Sequence, residues 1–150
     1  MFQKKIYKIL SKEDLKKISS EIKKAEENTS AEIVVSIKNK VPFIFNRNVY
    51  KFALSLFKFY KVHKTKDRTG ILILFVLQSK QFHIIGDIGI YKKINQNVWD
   101  NLSSSISNHI KEKSLLDGIL LSIKLVSKLV DYDIPKKNDD KNEISDNVRF

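Results

Sequence analysis

The stretch Ile71-Leu72-Ile73-Leu74-Phe75-Val76-Leu77 constrains this chain more than any other. It is apolar without a break, bounded by Gly70 before it and Gln78-Ser79-Lys80 after it. A strand with one wet face alternates polar and apolar residues. An unbroken run needs cover on both faces, which places it inside a sheet with helices above and below. The run is far shorter than the ~20 residues a spanning helix requires. Gln78–Lys80 suits a tight hairpin, so Gln81–Ile85 reads as an antiparallel return strand. Gly86, Asp87 and Gly89 close that strand with a tight loop.

The other elements follow from periodicity. Leu15, Ile18, Ile22 and Ala25 repeat at helical spacing over residues 12–27, with Ser11 as N-cap and Glu13 and Asp14 in the first turn. Ala31–Ile37 is a strand, its Ile33, Val34, Val35 and Ile37 mostly β-branched. After Pro42 a helix is expected over residues 46–61, with Val49, Ala53, Leu56, Phe57 and Tyr60 on its core face and Lys51, Ser55 and Lys58 on its wet face. Lys64–Gly70 is a basic loop. Two further helices fit residues 96–111, striped by Val98, Leu102, Ile106 and Ile110, and 115–130, striped by Leu116, Ile119, Leu120, Ile123, Val126 and Val130.

This order, with a right-handed crossover joining the first two strands in parallel, predicts an α/β fold: a three-layer α/β/α sandwich around a small mixed sheet. The domain is expected over residues 1–130. Residues 131–150 form a polar C-terminal tail with Pro135 and a run of acidic residues, read as an extended or disordered peptide, with Val148 and Phe150 as its anchors if it docks.

Composition narrows the chemistry. A length of 150 residues suits one domain. The chain has no cysteine, which excludes disulfides, thiol catalysis and Cys-based zinc sites. Lys4 and Lys5 are followed by no apolar core of signal-peptide length, and no span approaches ~18 apolar residues. The expected location is therefore the cytoplasm, peripheral to a membrane at most. The net charge of +11 sits almost entirely in the first seventy residues. A basic front half attracts polyanions or anionic lipid, although lysines this scattered also serve as ordinary solvated surface.

Several segments together resemble the TPM domain family, named for a thylakoid phosphatase, a photosystem repair protein and a receptor modulator. They are Ala25-Glu26-Glu27-Asn28-Thr29-Ser30-Ala31-Glu32-Ile33-Val34-Val35, Lys64-Thr65-Lys66-Asp67-Arg68-Thr69-Gly70-Ile71-Leu72-Ile73, Phe82-His83-Ile84-Ile85-Gly86-Asp87-Ile88-Gly89-Ile90, and Val98-Trp99. Ile134-Pro135 and Asn142-Glu143-Ile144-Ser145-Asp146 are similar to the end of short bacterial members. The chain departs from the usual pattern at Ala31, where many relatives carry Gly, and at Thr69, where many carry Asn. The resemblance implies an α/β/α sandwich. It also implies a function among acid phosphatase activity, divalent-cation binding and assistance to membrane-protein assembly, between which a shared fold does not choose.

The expected topology brings acidic residues to one rim. The second strand starts where the third ends and beside the start of the first. Glu32, Asp67 and Asp87 should therefore gather there with Arg68, as a candidate site for Ca2+ or Mg2+. The competing reading has Asp87 capping a turn while Asp67 and Glu32 pair with lysines. There is no phosphate-loop signature, and His63, His83 and His109 lack metal-ligand spacing. Lys51, Lys58 and Lys61 near Phe43, Ile44, Phe45, Phe52 and Phe59 suit an anionic membrane surface or a protein partner. A sheet face could instead bury these aromatics. The leading expectation is a non-catalytic TPM-like binding module with a protein partner at or near a membrane and a weak divalent-cation site. A metal-dependent acid phosphatase is the alternative, and nucleic acid is the least favoured partner.

Overall fold

The computed structural model describes residue 6 and residues 8–112, 114–138 and 141–150. Strands β1 (Glu32–Lys38), β2 (Gly70–Val76) and β3 (Gln81–Gly86) form one sheet in the order β1-β2-β3. β1 runs parallel to β2, with Glu32 opposite Gly70 and Lys38 opposite Val76. β3 runs antiparallel to β2, with Gly86 opposite Ile71 and Gln81 opposite Val76. The unbroken apolar run is central, and every residue of β2 is buried.

Side-chain alternation divides the sheet between two cores. Ile33, Val35, Ile71, Ile73, Phe75 and Ile84 face Ile18 and Ile22 of α1 (Lys12–Glu26), Ile106 of α4 (Gln96–Glu112), and Ile119, Ile123 and Val126 of α5 (Leu115–Asp133). Val34, Leu72, Leu74, Val76 and Ile85 face the opposite layer, made by Val62 and by Phe52, Ala53, Leu56 and Phe57 of α2 (Val49–Phe59). The short helix α3 (Ile88–Tyr91) follows β3. Helices therefore cover both faces, as the apolar run required.

Several details depart from the sequence expectations: α3 stands in place of the expected tight loop, α2 ends at Phe59, and α5 runs to Asp133. Residues 46–48 are not helical: Phe43–Phe45 form a separate 3-10 turn that ends in left-handed Asn46 and Arg47, φ 48° and 60°. Asn48 then caps α2 by accepting the Lys51 N–H at 3.0 Å. Phe52 lies outside the expected core face yet is buried, because a helix lying flat on a sheet covers a wider stripe than its narrowest seam. At α1, Ser11 and Asp14 form the reciprocal capping pair, each side chain accepting the other's backbone N–H.

α5 runs on through Asp133, and the described tail residues beyond it are drawn back onto the domain. The Ile37 N–H donates to the Arg149 carbonyl at 2.8 Å, and the Arg149 N–H donates to the Val35 carbonyl at 2.9 Å. A single parallel bridge therefore covers the outer edge of β1, which would otherwise present unpaired backbone groups. Val148 and Phe150 pack against the larger core and Ile144 against the smaller. The Arg149 guanidinium lies 6.0 Å from the Tyr60 ring centre.

Two outcomes follow from this packing. Ile73→Ala removes a fully buried side chain from the central strand and should destabilise the domain by about 3 kcal/mol in chemical denaturation, while Tyr132→Ala, at an exposed site, should stay within about 0.5 kcal/mol. Equal effects would mean that β2 is not the centre of the core. Deleting residues 147–150 should speed hydrogen exchange at the Ile37 amide while leaving Ile73 protected. Unchanged exchange at Ile37 would show that the tail does not hold that edge.

Candidate functional sites at the two ends of the sheet

The register brings the starts of β1 and β2 and the end of β3 to one end of the sheet. The three carboxylates expected there take different partners. Asp87 is buried and caps α3, its Oδ1 accepting the Ile88 N–H at 2.7 Å. Its two oxygens also accept the Arg68 fork, Nε at 2.7 Å and Nη2 at 2.8 Å. A buried carboxylate needs such compensation, and the bidentate guanidinium provides it. Arg68 reaches this geometry from a left-handed backbone, φ 56°, against which Gly89 packs. A Cβ on Gly89 would stand 2.5 Å from the Asp67 carbonyl oxygen, so the position has no room for a side chain. Asp67 pairs with Lys137 at 3.3 Å. Glu32 is buried, and its Oε1 accepts the Glu143 N–H of the tail at 2.7 Å.

Glu32 has two acidic neighbours that sequence reasoning missed. Glu26, Glu32 and Asp146 share a cleft of about 160 Å³ with Lys23, Lys136 and Asn142 on its rim. Burial pushes the Glu26 carboxyl up to about 10, and the nearby Glu32 and Asp146 charges and a hydrogen bond to Glu32 push the same way. The Ile33 N–H, donating to Glu26 Oε1 at 3.0 Å, opposes them. At neutral pH Glu26 therefore keeps its proton. The sequence did carry a signal, because Glu26 falls four residues after Ile22 on the apolar stripe of α1, where a charged residue is buried only if the fold gives it a partner. Among the described residues, no three His, Cys, Asp or Glu side chains stand ready as a metal-ligand set.

Side-chain hydroxyls tie this end together. Thr29 Oγ1 donates to the Ile134 carbonyl and accepts the Ala31 N–H. Ser30 Oγ donates to the Pro135 carbonyl and accepts the Lys137 N–H, and Thr69 Oγ1 donates to the Ser30 carbonyl. Side chains thus reinforce the backbone pairing of this segment, an antiparallel bridge between Thr29 and Pro135 in which the Ser30 N–H donates to the Ile134 carbonyl at 3.3 Å.

The opposite end is basic and apolar. Phe43 is 100% exposed and Ile44 is 84% exposed, at the tip of the 3-10 turn after β1. Phe59 is exposed as well, but it ends α2 three residues before Val62, which packs on Gly70 at the start of β2, so it does not belong to this tip. Of the five aromatic and apolar residues weighed for this surface, Phe52 is buried and Phe45 half-buried, their rings 5.3 Å apart, while the other three face solvent. Lys40 and Arg47 share a cleft with Phe43, and Lys51 follows on the first turn of α2; all three are exposed. No membrane-crossing helix exists among the described residues.

The histidines do not converge. His83 is half-buried on β3, its ring 5.5 Å from Tyr50, and burial lowers its pKa. His63 sits by Phe57, and His109 is half-buried on α4.

No curated protein sequence is significantly similar to this chain. Among solved structures, the BA42 protein of the psychrophilic bacterium Bizionia argentinensis is 28% identical, with a TM-score of 0.84 over 93% of this chain and 94% of that one. The N-terminal domain of a P. gingivalis protein shares the fold at 15% identity, with a TM-score of 0.69 over 84% of this chain and 79% of that one. Residues 6–129 match the TPM domain, and the chain belongs to the TPM domain family.

Proposed function

We propose that this TPM domain is a non-catalytic binding module that works at an anionic membrane surface and meets it with the Phe43–Ile44 turn. The observation that carries this reading is the exposure of both side chains at a tip flanked by Lys40, Arg47 and Lys51. Nothing in the fold requires them there, since the smaller core closes with Phe45, Phe52 and Phe57. Apolar tips ringed by cations match the interfacial layer, where rings enter the acyl boundary and long basic side chains reach the headgroups. Burying the two side chains contributes about 4 kcal/mol, and three cations near an anionic surface add about 3 kcal/mol. The sum, before ordering costs, supports reversible attachment rather than permanent anchorage. A protein partner held at the same surface is the other occupant this tip could take.

A divalent cation is a second, independent reading, supported by the convergence of Glu26, Glu32 and Asp146. Ca2+ or Mg2+ would relieve the repulsion that the Glu26 proton now relieves. Asp87 and Asp67 join such a site only by exchanging Arg68 and Lys137, so affinity should be modest. The phosphatase alternative depends on this same cation and has no separate support.

Vesicle co-sedimentation tests the first reading. The wild-type chain should bind vesicles rich in anionic lipid and not neutral ones. Phe43→Ser with Ile44→Ser should cut binding by at least about tenfold with little change in melting temperature. Wild-type chain that ignores anionic vesicles would overturn the membrane reading and leave the turn to a protein.

A pH series tests the second. Because the folded Glu26 carboxyl is raised from 4.5 to about 10, its stabilising contribution is complete below pH 4.5 and is lost as pH rises towards 10. Glu26→Gln keeps an acceptor for the Ile33 N–H but cannot ionise. It should match wild type at pH 4 and exceed it increasingly as pH rises, by up to about 6 kcal/mol at pH 9. Millimolar Ca2+ should narrow that gap by stabilising wild type alone. Parallel pH curves would remove the charge conflict, and calcium-independent curves would remove the cation.

A further inference from the structure

A second feature lies immediately beside the Phe43–Ile44 turn. β1 and β2 are parallel, so their carboxyl ends open at the same end of the sheet. In α/β folds, ligands bind in the crevice outside those ends, where loops diverge from a rigid platform. Here the crevice is a cleft of about 670 Å³ lined by Lys40, Phe43, Asn46, Arg47, Gln78 and Gln81, with Val41 and Ser79 completing it. That volume is ample for a small polar ligand.

The lining has one sign of charge. Lys40 and Arg47 are cationic, while Asn46, Gln78, Ser79 and Gln81 supply amide and hydroxyl donors. No acidic residue lines the cleft, and among the described residues no carboxylate pairs with Lys40 or Arg47. An ammonium-bearing ligand would find no counter-charge here. A ligand with two negative charges and several acceptor oxygens on one atom would find a cation and donors for each.

The backbone is strained at the same place. Asn46, Arg47 and Lys80 are three of the five non-glycine residues with left-handed φ, at 48°, 60° and 52°. Two line the cleft, and the third ends the turn that supplies Gln78 and Ser79. Left-handed conformations cost a side chain such as arginine's, and they concentrate where geometry is held for binding. The turn is anchored against this strain by the Leu77 N–H donating to the Lys38 carbonyl at 2.9 Å and the Gln78 N–H to the Asn39 carbonyl at 2.8 Å.

We infer that this cleft binds the phosphomonoester headgroup of a membrane lipid, held by Lys40 and Arg47 while Phe43 and Ile44 enter the bilayer beside it. The inference rests on the membrane reading above and gives it a headgroup class. Arg47 contributes a fork to two phosphate oxygens, Lys40 a point charge, and Asn46, Gln78 and Gln81 their amide donors. General attraction of lysines to an anionic surface would not discriminate headgroups of equal charge, whereas a built phosphate site would.

The test compares vesicles of phosphatidylcholine doped with phosphatidic acid against vesicles doped with phosphatidylserine to the same surface charge. Wild type should prefer the phosphatidic acid vesicles by about tenfold, the worth of one charge-assisted fork. Lys40→Gln with Arg47→Gln should abolish the preference. Lys16→Gln with Lys17→Gln removes the same charge from an exposed stretch of α1 and should keep it. Thermal melts confirm that both variants fold. Equal binding to the two lipids, or equal losses in the two variants, would overturn the headgroup site while leaving the membrane reading intact. If wild type binds no anionic vesicle but glycerol 3-phosphate shifts the Asn46 and Arg47 amide resonances, a soluble phosphate ester is the ligand and the lipid source is overturned. If neither occurs, both readings fall.

Discussion

The structure depends on burying β2 from both sides. Its backbone is saturated by β1 on one edge and β3 on the other, and its side chains divide between two cores, so no face or edge meets water. That requirement sets the layers. One helical sheet-cover is large, built from α1, α4 and α5, and the other is essentially α2 alone. It also moves the edge problem outward to β1, where the tail answers with two backbone hydrogen bonds at Arg149.

Because β2 is fixed, the two ends of the sheet are free to differ, and they do. The amino ends of β1 and β2 are closed by side chains: the Arg68 fork on Asp87, the Thr29 and Ser30 hydroxyls, and the tail seated on Glu32. Polar groups there are mostly committed to one another. The carboxyl ends carry an open cleft, cations that pair with no carboxylate among the described residues, and two apolar side chains in solvent. A closed end suits stability and an open one suits recognition. The exception is Glu26, whose carboxyl is pushed up by burial inside the closed end and by the charges of Glu32 and Asp146.

The family segments take on physical meaning in this frame. Glu26 bridges the end of α1 to the start of β1 through the Ile33 N–H. Thr69 leads into β2 and Gly70 begins it, and a Cβ at Gly70 would run into the Val62 carbonyl, so the glycine there answers a close backbone approach. Asp87 caps α3 and receives Arg68, while Gly89 admits the backbone of that same loop. These residues build the scaffold, and their presence identifies the fold without naming a reaction.

Local chemistry along the chain was enough to determine the order of elements, the central place of Ile71–Leu77, the direction of each strand and the cap at Ser11. Each rests on periodicity or on contacts within a few residues. It was enough, too, to bring Glu32, Asp67 and Asp87 to one rim, because strand direction alone does that. Which partner each carboxylate takes lay beyond it. Asp87 meets Arg68 from 19 positions away, Glu32 meets the Glu143 backbone from 111, and Glu26 meets Asp146 across nearly the whole chain. The exposure of Phe43 and Ile44 was equally undetermined, since Phe45 and Phe52 have the same chemistry and are covered. Burial and charge pairing depend on what the fold places opposite a residue, and that is decided by the packing of distant segments rather than by a residue's neighbours in the chain.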